Sequence, residues 1–118
     1  MNTLLHTKHT EERPWGQFTT FAHNEMVTVK IITVNIGQEF SLQSHTHRDE
    51  SWYIISGNGI ITIGDTASAL SVGTDYEIPR GTQHRIKADT ENVVFLEIAR
   101  GEFDEADITR FADDYNRA

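Results

Sequence analysis

Short runs of β-branched, aromatic and aliphatic residues, separated by turn-forming residues, make up the chain from about residue 15 to residue 98. Such runs, bounded by Gly, Pro, Asn and Asp, are typical of β-strands. Seven strands are predicted, at residues 17–22, 26–35, 50–56, 59–63, 76–78, 83–87 and 92–98. The sequence Gly-Asn-Gly at 57–59 is predicted to close a hairpin. Because many short strands follow one another, we expect an all-β fold with one small barrel at residues 13–100.

The two ends of the chain differ from this central region in composition and in the pattern of apolar residues. Residues 1–12 are polar and show no apolar period, so a flexible N-terminal arm is expected there. Residues 102–118 contain six carboxylates against two arginines. Asp104 is a suitable N-cap for a short helix over residues 105–113. We therefore expect residues 101–118 to form an acidic C-terminal helix or tail on or near the barrel.

Composition narrows the class of protein. The chain has 118 residues, with 18 acidic and 10 basic side chains and a formal net charge of −8. Nucleic-acid binding needs clustered Lys and Arg and is therefore not expected. The lack of cysteine excludes disulfides and thiolate metal sites. No apolar run approaches the ~20 residues of a membrane span, so we expect no membrane partner and a cytoplasmic location.

Three histidines and one carboxylate form the most informative polar set: His45, His47, Glu50 and His84. On an extended strand His45 and His47 point to the same side, whereas Glu50 joins them only if the chain bends near residues 48–49. Neutral imidazoles and a carboxylate suit one divalent metal ion: Zn, Mn, Co, Ni or Fe. The alternative is a chance pair of surface histidines, because His-x-His alone is a weak signal.

The glycines and prolines around these residues favour the metal site, because the whole pattern resembles the double motif of the cupins. The first half runs from Gly37 through the two histidines and Glu50 to Gly57, with spacings that depart from the common pattern. The second half, residues 73–84, reads Gly-x5-Pro-x-Gly-x2-His. Cupins are small jelly-roll barrels, which agrees with the predicted strands.

Further segments narrow the resemblance to the type II phosphomannose isomerase family of cupins. They read Arg-Pro-Trp-Gly at 13–16, Ser-Leu-Gln-x-His-x-His-Arg-x-Glu-x-Trp at 41–52, Ile-Pro-x-Gly-x2-His at 78–84 and Glu-x-Asp-Ile-x-Arg at 105–110. The resemblance implies a metal-dependent aldose–ketose isomerase that interconverts mannose-6-phosphate and fructose-6-phosphate through an enediol. In that family the domain is often fused to a guanylyltransferase. Its glycine-rich nucleotide loop is missing from these 118 residues, so no guanylyl transfer is expected.

Such an isomerase needs a base that moves the proton of the sugar. It also needs a cation that binds the phosphate of its sugar phosphate substrate. Glu97 is the candidate base, because it lies in an apolar strand and shares parity with Val93 and Phe95. Burial there would raise its pKa toward neutrality. Lys30 interrupts another apolar run and is the candidate catalytic cation. The alternatives are a solvent-facing or arginine-paired Glu97, and a Lys30 that protects a sheet edge.

Four further side chains are candidates for substrate binding: Gln43, Arg48, Trp52 and Arg80. Two have plain alternatives, since Trp52 suits a barrel core and Arg48 suits a supporting contact to Glu50. We also expect a homodimer, because small cupins have open sheet edges through which residues 13–22 could cross to a neighbour. The competing functions are isomerisation or epimerisation of another sugar, and non-catalytic sugar binding by a metal-containing cupin.

Overall fold

The computed structural model describes residues 8–114, and all of its regular structure is β. The strands are β1 (His9–Arg13), β2 (Gly16–Thr20), β3 (Val27–Val34), β4 (Leu42–Ser44), β5 (Arg48–Ser56), β6 (Gly59–Ile63), β7 (Thr66–Ala69), β8 (Asp75–Ile78), β9 (His84–Ala88), β10 (Val93–Gly101) and β11 (Thr109–Ala112). Within residues 8–114 no helix is long and apolar enough to span a membrane. The expectation of an all-β fold is confirmed.

Two sheets share one core and form the barrel. One has the strand order β3-β10-β5-β8 and the other β11-β4-β9-β6-β7. Alternation along each strand sends every second side chain inward. In β5, for example, Glu50, Trp52 and Ile54 are all buried. The buried apolar side chains come from both sheets: Val34, Trp52, Ile54, Ile61, Leu70, Ile78, Ile86, Ala88, Val93 and Phe95. Each large one contributes about 1.5–3 kcal/mol to folding.

The hairpin β1–β2 stands apart from the barrel. Its strands pair only with each other, from His9↔Thr20 to Arg13↔Gly16. At its turn Trp15 is 73% exposed. The expectation of a flexible arm over residues 1–12 is therefore wrong for residues 9–12, which form most of β1. The rest of that arm falls on residues 1–7, outside the described residues.

The C-terminal segment is a strand where a helix is expected. Instead of a helix over 105–113, the chain makes a turn after Asp104, and β11 then pairs with β4. The Asp104 carboxylate accepts a hydrogen bond from the Ala106 backbone N–H at 2.9 Å, which closes the turn. Residues 109–112 then pair with the edge of β4.

The Gly-Asn-Gly sequence at 57–59 does not close a hairpin, because β5 and β6 belong to different sheets. Its glycines allow a close approach to neighbouring backbone, Gly57 to the start of β10 and Gly59 to β9. Gly57 has φ +106°, and a Cβ there would collide with the Asn92 carbonyl oxygen. Asn58 fixes the crossing by accepting hydrogen bonds from the backbone N–H groups of Thr90 and Glu91.

Candidate metal centre

Two histidines and one glutamate meet inside the barrel. His45 follows the end of β4, Glu50 lies on β5 and His84 begins β9, so three separate strands position them. Their potential ligand atoms all lie within 4.8 Å of one another. The Nε2 atoms of His45 and His84 are 3.5 Å and 3.9 Å from the Glu50 carboxylate oxygens. All three side chains are buried.

Backbone carbonyls orient both imidazole rings. The Nδ1–H of His45 donates to the carbonyl oxygen of Asp107 at 2.7 Å, and the Nδ1–H of His84 donates to that of Thr82 at 3.0 Å. Each Nε2 therefore carries a lone pair turned toward Glu50. This is the arrangement in which histidine binds metals, with the second nitrogen fixed by an outer partner.

The His84 Nε2 atom gives a direct test of whether a metal suits the site. It is buried and has no hydrogen-bond partner among residues 8–114. A buried polar atom without a partner costs free energy, and coordination to a cation would satisfy it. Two imidazole nitrogens and a carboxylate are also the donor set of many divalent-metal sites. The residues therefore fit a divalent ion, and His45, Glu50 and His84 are positioned to hold it.

The protonation states of these groups agree with that role. Burial lowers the pKa of His84 to about 4, so this ring is neutral near pH 7. Burial alone would raise the pKa of Glu50. The hydrogen bond from Arg48 and the nearby histidines outweigh burial, so the pKa of Glu50 falls below its usual value. A neutral ring and an ionised carboxylate are the states that ligate metals.

His47 does not join the other three residues, which corrects the expected four-residue ligand set. Its side chain is 62% exposed, and its Nδ1 lies 3.7 Å from the Asp107 carboxylate. Strand β4 ends at Ser44 and the chain bends at Thr46 and His47, so the parity shared by a continuous strand is lost. The bend is held by Asp107, whose carboxylate accepts hydrogen bonds from the Thr46 and His47 backbone N–H groups, both at 2.8 Å.

Glu97 lies on β10 with its side chain on the inner face, beside Glu50. Burial, the charge of Glu50 and a hydrogen bond with Glu50 together raise the pKa of Glu97 to about 8. Lys30 on β3 is its cross-strand partner and partly opposes this rise. Lys30 itself is half-buried and donates a 2.9 Å hydrogen bond to Glu105. Both candidate catalytic residues therefore reach the same end of the barrel interior as the metal ligands.

Residues 102–108, here called the strap, cross the barrel over this site. Gly101, the last residue of β10, directly precedes the strap. Its φ is +112°, and a Cβ there would lie 2.5 Å from the His47 carbonyl oxygen. The one aromatic ring of the strap, Phe103, contacts two cations: the Lys30 Nζ at 4.4 Å and the Arg48 guanidinium at 4.2 Å from the ring centre. Cation–π contacts of this kind hold the strap against the barrel.

Arg48 connects the strap to the ligand residues. It is buried and its guanidinium donates from Nε to Glu50 at 2.8 Å, from Nη2 to the His45 Nε2 at 3.1 Å and from Nη1 to the Asp104 carbonyl oxygen at 3.2 Å. A supporting contact to Glu50 was the alternative for this residue, and it is present.

The other three expected substrate contacts lie around the cluster rather than in it. Gln43 is the cross-strand partner of His84 and accepts a hydrogen bond from Ser41 at 2.6 Å. Arg80 is 51% exposed and pairs with Asp49. Trp52 is 1% exposed and packs in the core. Its indole N–H donates to Glu50 at 3.0 Å.

Two residues that shape the site are not identified by the sequence argument. Phe103 and Asp107 lie in the acidic segment that is expected to be a helix or tail, so nothing links them to the histidines in advance. Their contacts depend on the strap folding back over the barrel. The only sequence signal near them is the Glu-x-Asp-Ile-x-Arg motif at 105–110.

Curated relatives are similar in sequence to most of this chain. The relative XanB, a xanthan biosynthesis protein of Xanthomonas campestris pv. campestris, is 37% identical over 89% of this chain but 23% of its own length. A mannose-1-phosphate guanylyltransferase of Salmonella montevideo is 36% identical over 98% of this chain and 25% of its own length. This chain therefore spans about a quarter of these curated relatives.

A solved structure agrees in fold. It is that of a protein from Acidithiobacillus ferrooxidans, provisionally named a sugar phosphate isomerase. It is 26% identical, covers 66% of this chain and 51% of its own, and gives a TM-score of 0.59. Residues 2–113 match the family described as the C-terminal part of mannose-6-phosphate isomerase. With the barrel and its buried two-histidine, one-glutamate cluster, this match makes the chain a member of the mannose-6-phosphate isomerase C-terminal family of cupins.

Proposed function

We propose that this domain is a metal-dependent aldose–ketose isomerase that interconverts mannose-6-phosphate and fructose-6-phosphate. The observation that carries the proposal is the juxtaposition of Glu97 with the metal-binding cluster. A buried carboxyl group, whose pKa is raised by burial and by Glu50, lies beside three residues suited to a divalent ion. Family membership supports the sugar-phosphate class of substrate.

In this reaction Glu97 carries the proton. Its ionised form takes the proton from C2 of the aldose, which gives an enediol, and its acid form then delivers the proton to C1. A proton moves from the 2-hydroxyl to the 1-oxygen at the same time. A group with a pKa near the working pH both accepts and returns a proton readily. The raised pKa of Glu97, about 8, meets this requirement.

The neighbouring groups supply charge and exclusion of water. A divalent ion on His45, Glu50 and His84 would act as a Lewis acid toward the substrate oxygens when bound. Lys30 lies across from Glu97 and near the strap, where its ammonium suits the substrate phosphate. The buried core around Trp52 keeps water away and strengthens the electrostatic interactions in the site.

The test is a coupled assay of the purified chain with mannose-6-phosphate, with and without Zn²⁺, Mn²⁺ or Co²⁺. We expect metal-dependent formation of fructose-6-phosphate and exchange of the C2 proton with solvent deuterium. Parallel assays with other aldoses and sugar phosphates identify an isomerase or epimerase for a different sugar. A protein that binds metal but exchanges no C2 proton of any of these sugars would contradict the isomerase proposal.

The competing function of a non-catalytic sugar-binding cupin would use the same closed site. The strap closes over the site, and His45, Glu50, His84 and Glu97 are each at most 6% exposed. A sugar phosphate must move the strap to reach Glu97. The deuterium-exchange assay separates the two functions, because a binding protein retains affinity for the sugar without exchanging its C2 proton.

We also propose that the functional unit is a homodimer assembled through the β1–β2 hairpin. A two-stranded hairpin is marginally stable alone in water, yet this one pairs with no other strand among the described residues. Near its base, Phe21 contacts Tyr53 on the outer face of the β3–β10–β5–β8 sheet. That face also exposes Val29, Ile31 and Ile55. Two copies can cover both features at once if each hairpin lies on the outer face of its partner.

A further inference from the structure

Arg48 makes its shortest contacts with the same residues that would bind the metal. Its Nε and Nη2 atoms donate to Glu50 and to the His45 Nε2, and the guanidinium faces both partners from inside the barrel. Its third contact, from Nη1, reaches the Asp104 carbonyl oxygen on the strap. One rigid planar group therefore joins the ligand cluster to the segment that covers it.

These contacts compete with metal coordination. The Nε2 atom of a neutral imidazole has one lone pair, which can accept the Arg48 N–H or bind a metal ion but cannot do both. A dication held by Glu50 and His45 would also lie close to the guanidinium in a buried setting, where like charges repel strongly. His84 differs from His45 in this respect, because its Nε2 has no such partner.

We propose that Arg48 and the divalent ion are alternative occupants of the same ligand atoms. Binding of the ion at His45, Glu50 and His84 displaces the Arg48 guanidinium. The displaced guanidinium loses its bond to Asp104 and its contact with Phe103, so residues 102–106 of the strap open more readily against the remaining contacts of Lys30 with Phe103 and Glu105. Arg48 is therefore a positioning residue that couples metal loading to access of the site. The inference rests on the metal centre of the proposed function but not on its isomerase activity.

The coupling is reciprocal, because a metal that weakens the Arg48 contacts must bind more tightly when those contacts are absent. Removing the guanidinium should therefore strengthen metal binding, although Arg48 touches the ligands directly. A residue that merely supports the ligands would have the opposite effect. The sign of the change in affinity thus separates the two roles.

The experiment uses Co²⁺ alone as the probe, with the dissociation constant measured by competition against a chelator. We expect Arg48→Met to bind Co²⁺ at least about tenfold more tightly than the wild type. Arg80→Met is the matched control, because it removes another arginine next to β5 that pairs with Asp49 and not with the ligands. Its affinity should equal that of the wild type. Arg48→Gln serves as a second variant if Arg48→Met does not fold.

Amide hydrogen exchange provides a second readout. We expect Co²⁺ to speed exchange in peptides covering residues 102–106 of the wild type by at least about fivefold, with no speeding in β10. In Arg48→Met the same peptides should exchange fast with or without Co²⁺. His84→Ala, which removes one ligand, should abolish the response to Co²⁺.

Three results would overturn the inference. Equal or weaker Co²⁺ binding by Arg48→Met and Arg48→Gln would make Arg48 a simple support for Glu50. Slower exchange of residues 102–106 in the Co²⁺-loaded wild type would mean that the metal closes the strap. Failure of the wild type to bind Co²⁺ would remove the metal centre, and the proposed function with it. Tight Co²⁺ binding without isomerase activity would contradict only the proposed function.

Discussion

Glu50 and Glu97 are adjacent buried carboxyls whose surroundings drive their pKa values apart. Glu50 accepts hydrogen bonds from Arg48 and Trp52, which favour its ionised form. Burial and the charge of Glu50 disfavour the ionised form of Glu97, so its neutral form is favoured. Such a separation assigns different duties to two residues of the same type. In the proposed function, Glu50 is the metal ligand and Glu97 is the group that exchanges protons with the substrate.

We predict that Glu97→Gln lowers kcat for mannose-6-phosphate about 10²–10⁴-fold, the usual contribution of a general base. The amide keeps the size of the carboxylic acid and its capacity to hydrogen-bond with Glu50, so folding and Co²⁺ binding should be unchanged. Steady-state kinetics and chelator competition measure the two quantities. Loss of Co²⁺ binding would instead make Glu97 a ligand, and near-normal turnover would refute its role as the base.

His47 and His84 should differ in their importance for the metal. We predict that His84→Ala lowers the Co²⁺ or Zn²⁺ content of the purified protein at least tenfold, because it removes a buried ligand. His47→Ala should retain the wild-type content, because its exposed side chain lies outside the cluster. Elemental analysis of both variants decides the question. Equal metal content in the two variants would contradict the ligand set.

Parity along strands predicts part of the site and fails where a strand ends. It correctly puts Glu50, Trp52 and Ile54 on one inner face, and Glu97 with Val93 and Phe95 on another. It fails for His47 because β4 stops at Ser44 and the chain bends through the next residues. The contact of Arg48 with His45 could not be predicted by parity either, since it depends on the shape of that bend.

At the scale of elements, β8 is an edge strand that carries an acid in an unfavourable setting. Burial is the main cause that raises the pKa of Glu77, and the nearby carboxylates of Asp75 and Asp49 add to it. Ser51, which donates a hydrogen bond, and Arg100 oppose the rise but do not cancel it. The folded state therefore binds the Glu77 proton more tightly than the unfolded chain.

This shift predicts how the contribution of Glu77 to stability depends on pH. Its pKa is raised in the folded state, so the contribution is complete below the unfolded value of about 4.5 and falls as pH rises through the folded value. We expect the free energy of unfolding of the wild type, relative to Glu77→Gln, to decrease from pH 4 to pH 7. Urea unfolding of both proteins at each pH measures it. An increase over that range would contradict the prediction.

The β1–β2 hairpin gives a prediction about assembly. We expect light scattering at micromolar concentration to give twice the mass of one chain, and the variant Trp15→Ser to shift the protein toward the monomer. The exposed Phe111 lies on β11 in the other sheet and offers the matched control Phe111→Ser. A wild-type mass equal to one chain would refute the homodimer.

Strands that are long and apolar were predictable, and short polar ones were not. Strand β6 occupies the predicted residues 59–63, and β3 and β5 differ from their predicted ends by no more than two residues. Strands β4, β7 and β11 have three or four residues, and β7 is fully exposed. They form because a neighbouring edge supplies backbone partners, which is a tertiary effect that local composition does not contain.

For the whole molecule, the fold class follows from the number and spacing of the strands, whereas the closure of the site does not. The turn residues and the resemblance to cupins predict a barrel with a metal-binding interior. The strap comes from the segment expected to be a helix, and its fold depends on cations contributed by β3 and β5. A segment whose structure depends on contacts so distant in sequence is not predictable from its own residues.

The acidic strap has a consequence for how a substrate arrives. Residues 102–108 carry four carboxylates, and the chain has a net charge of −8, so the anionic sugar phosphate of the proposed function would approach this face against a repulsive field. Added salt screens that field over a Debye length of about 10 Å at 0.1 M. The encounter of substrate and protein should therefore quicken as ionic strength rises, opposite to the behaviour of enzymes that attract their phosphates from a distance. Measuring kcat/KM against NaCl concentration would show a rise at low salt, and a steady fall would mean that cations, not the strap, govern the approach.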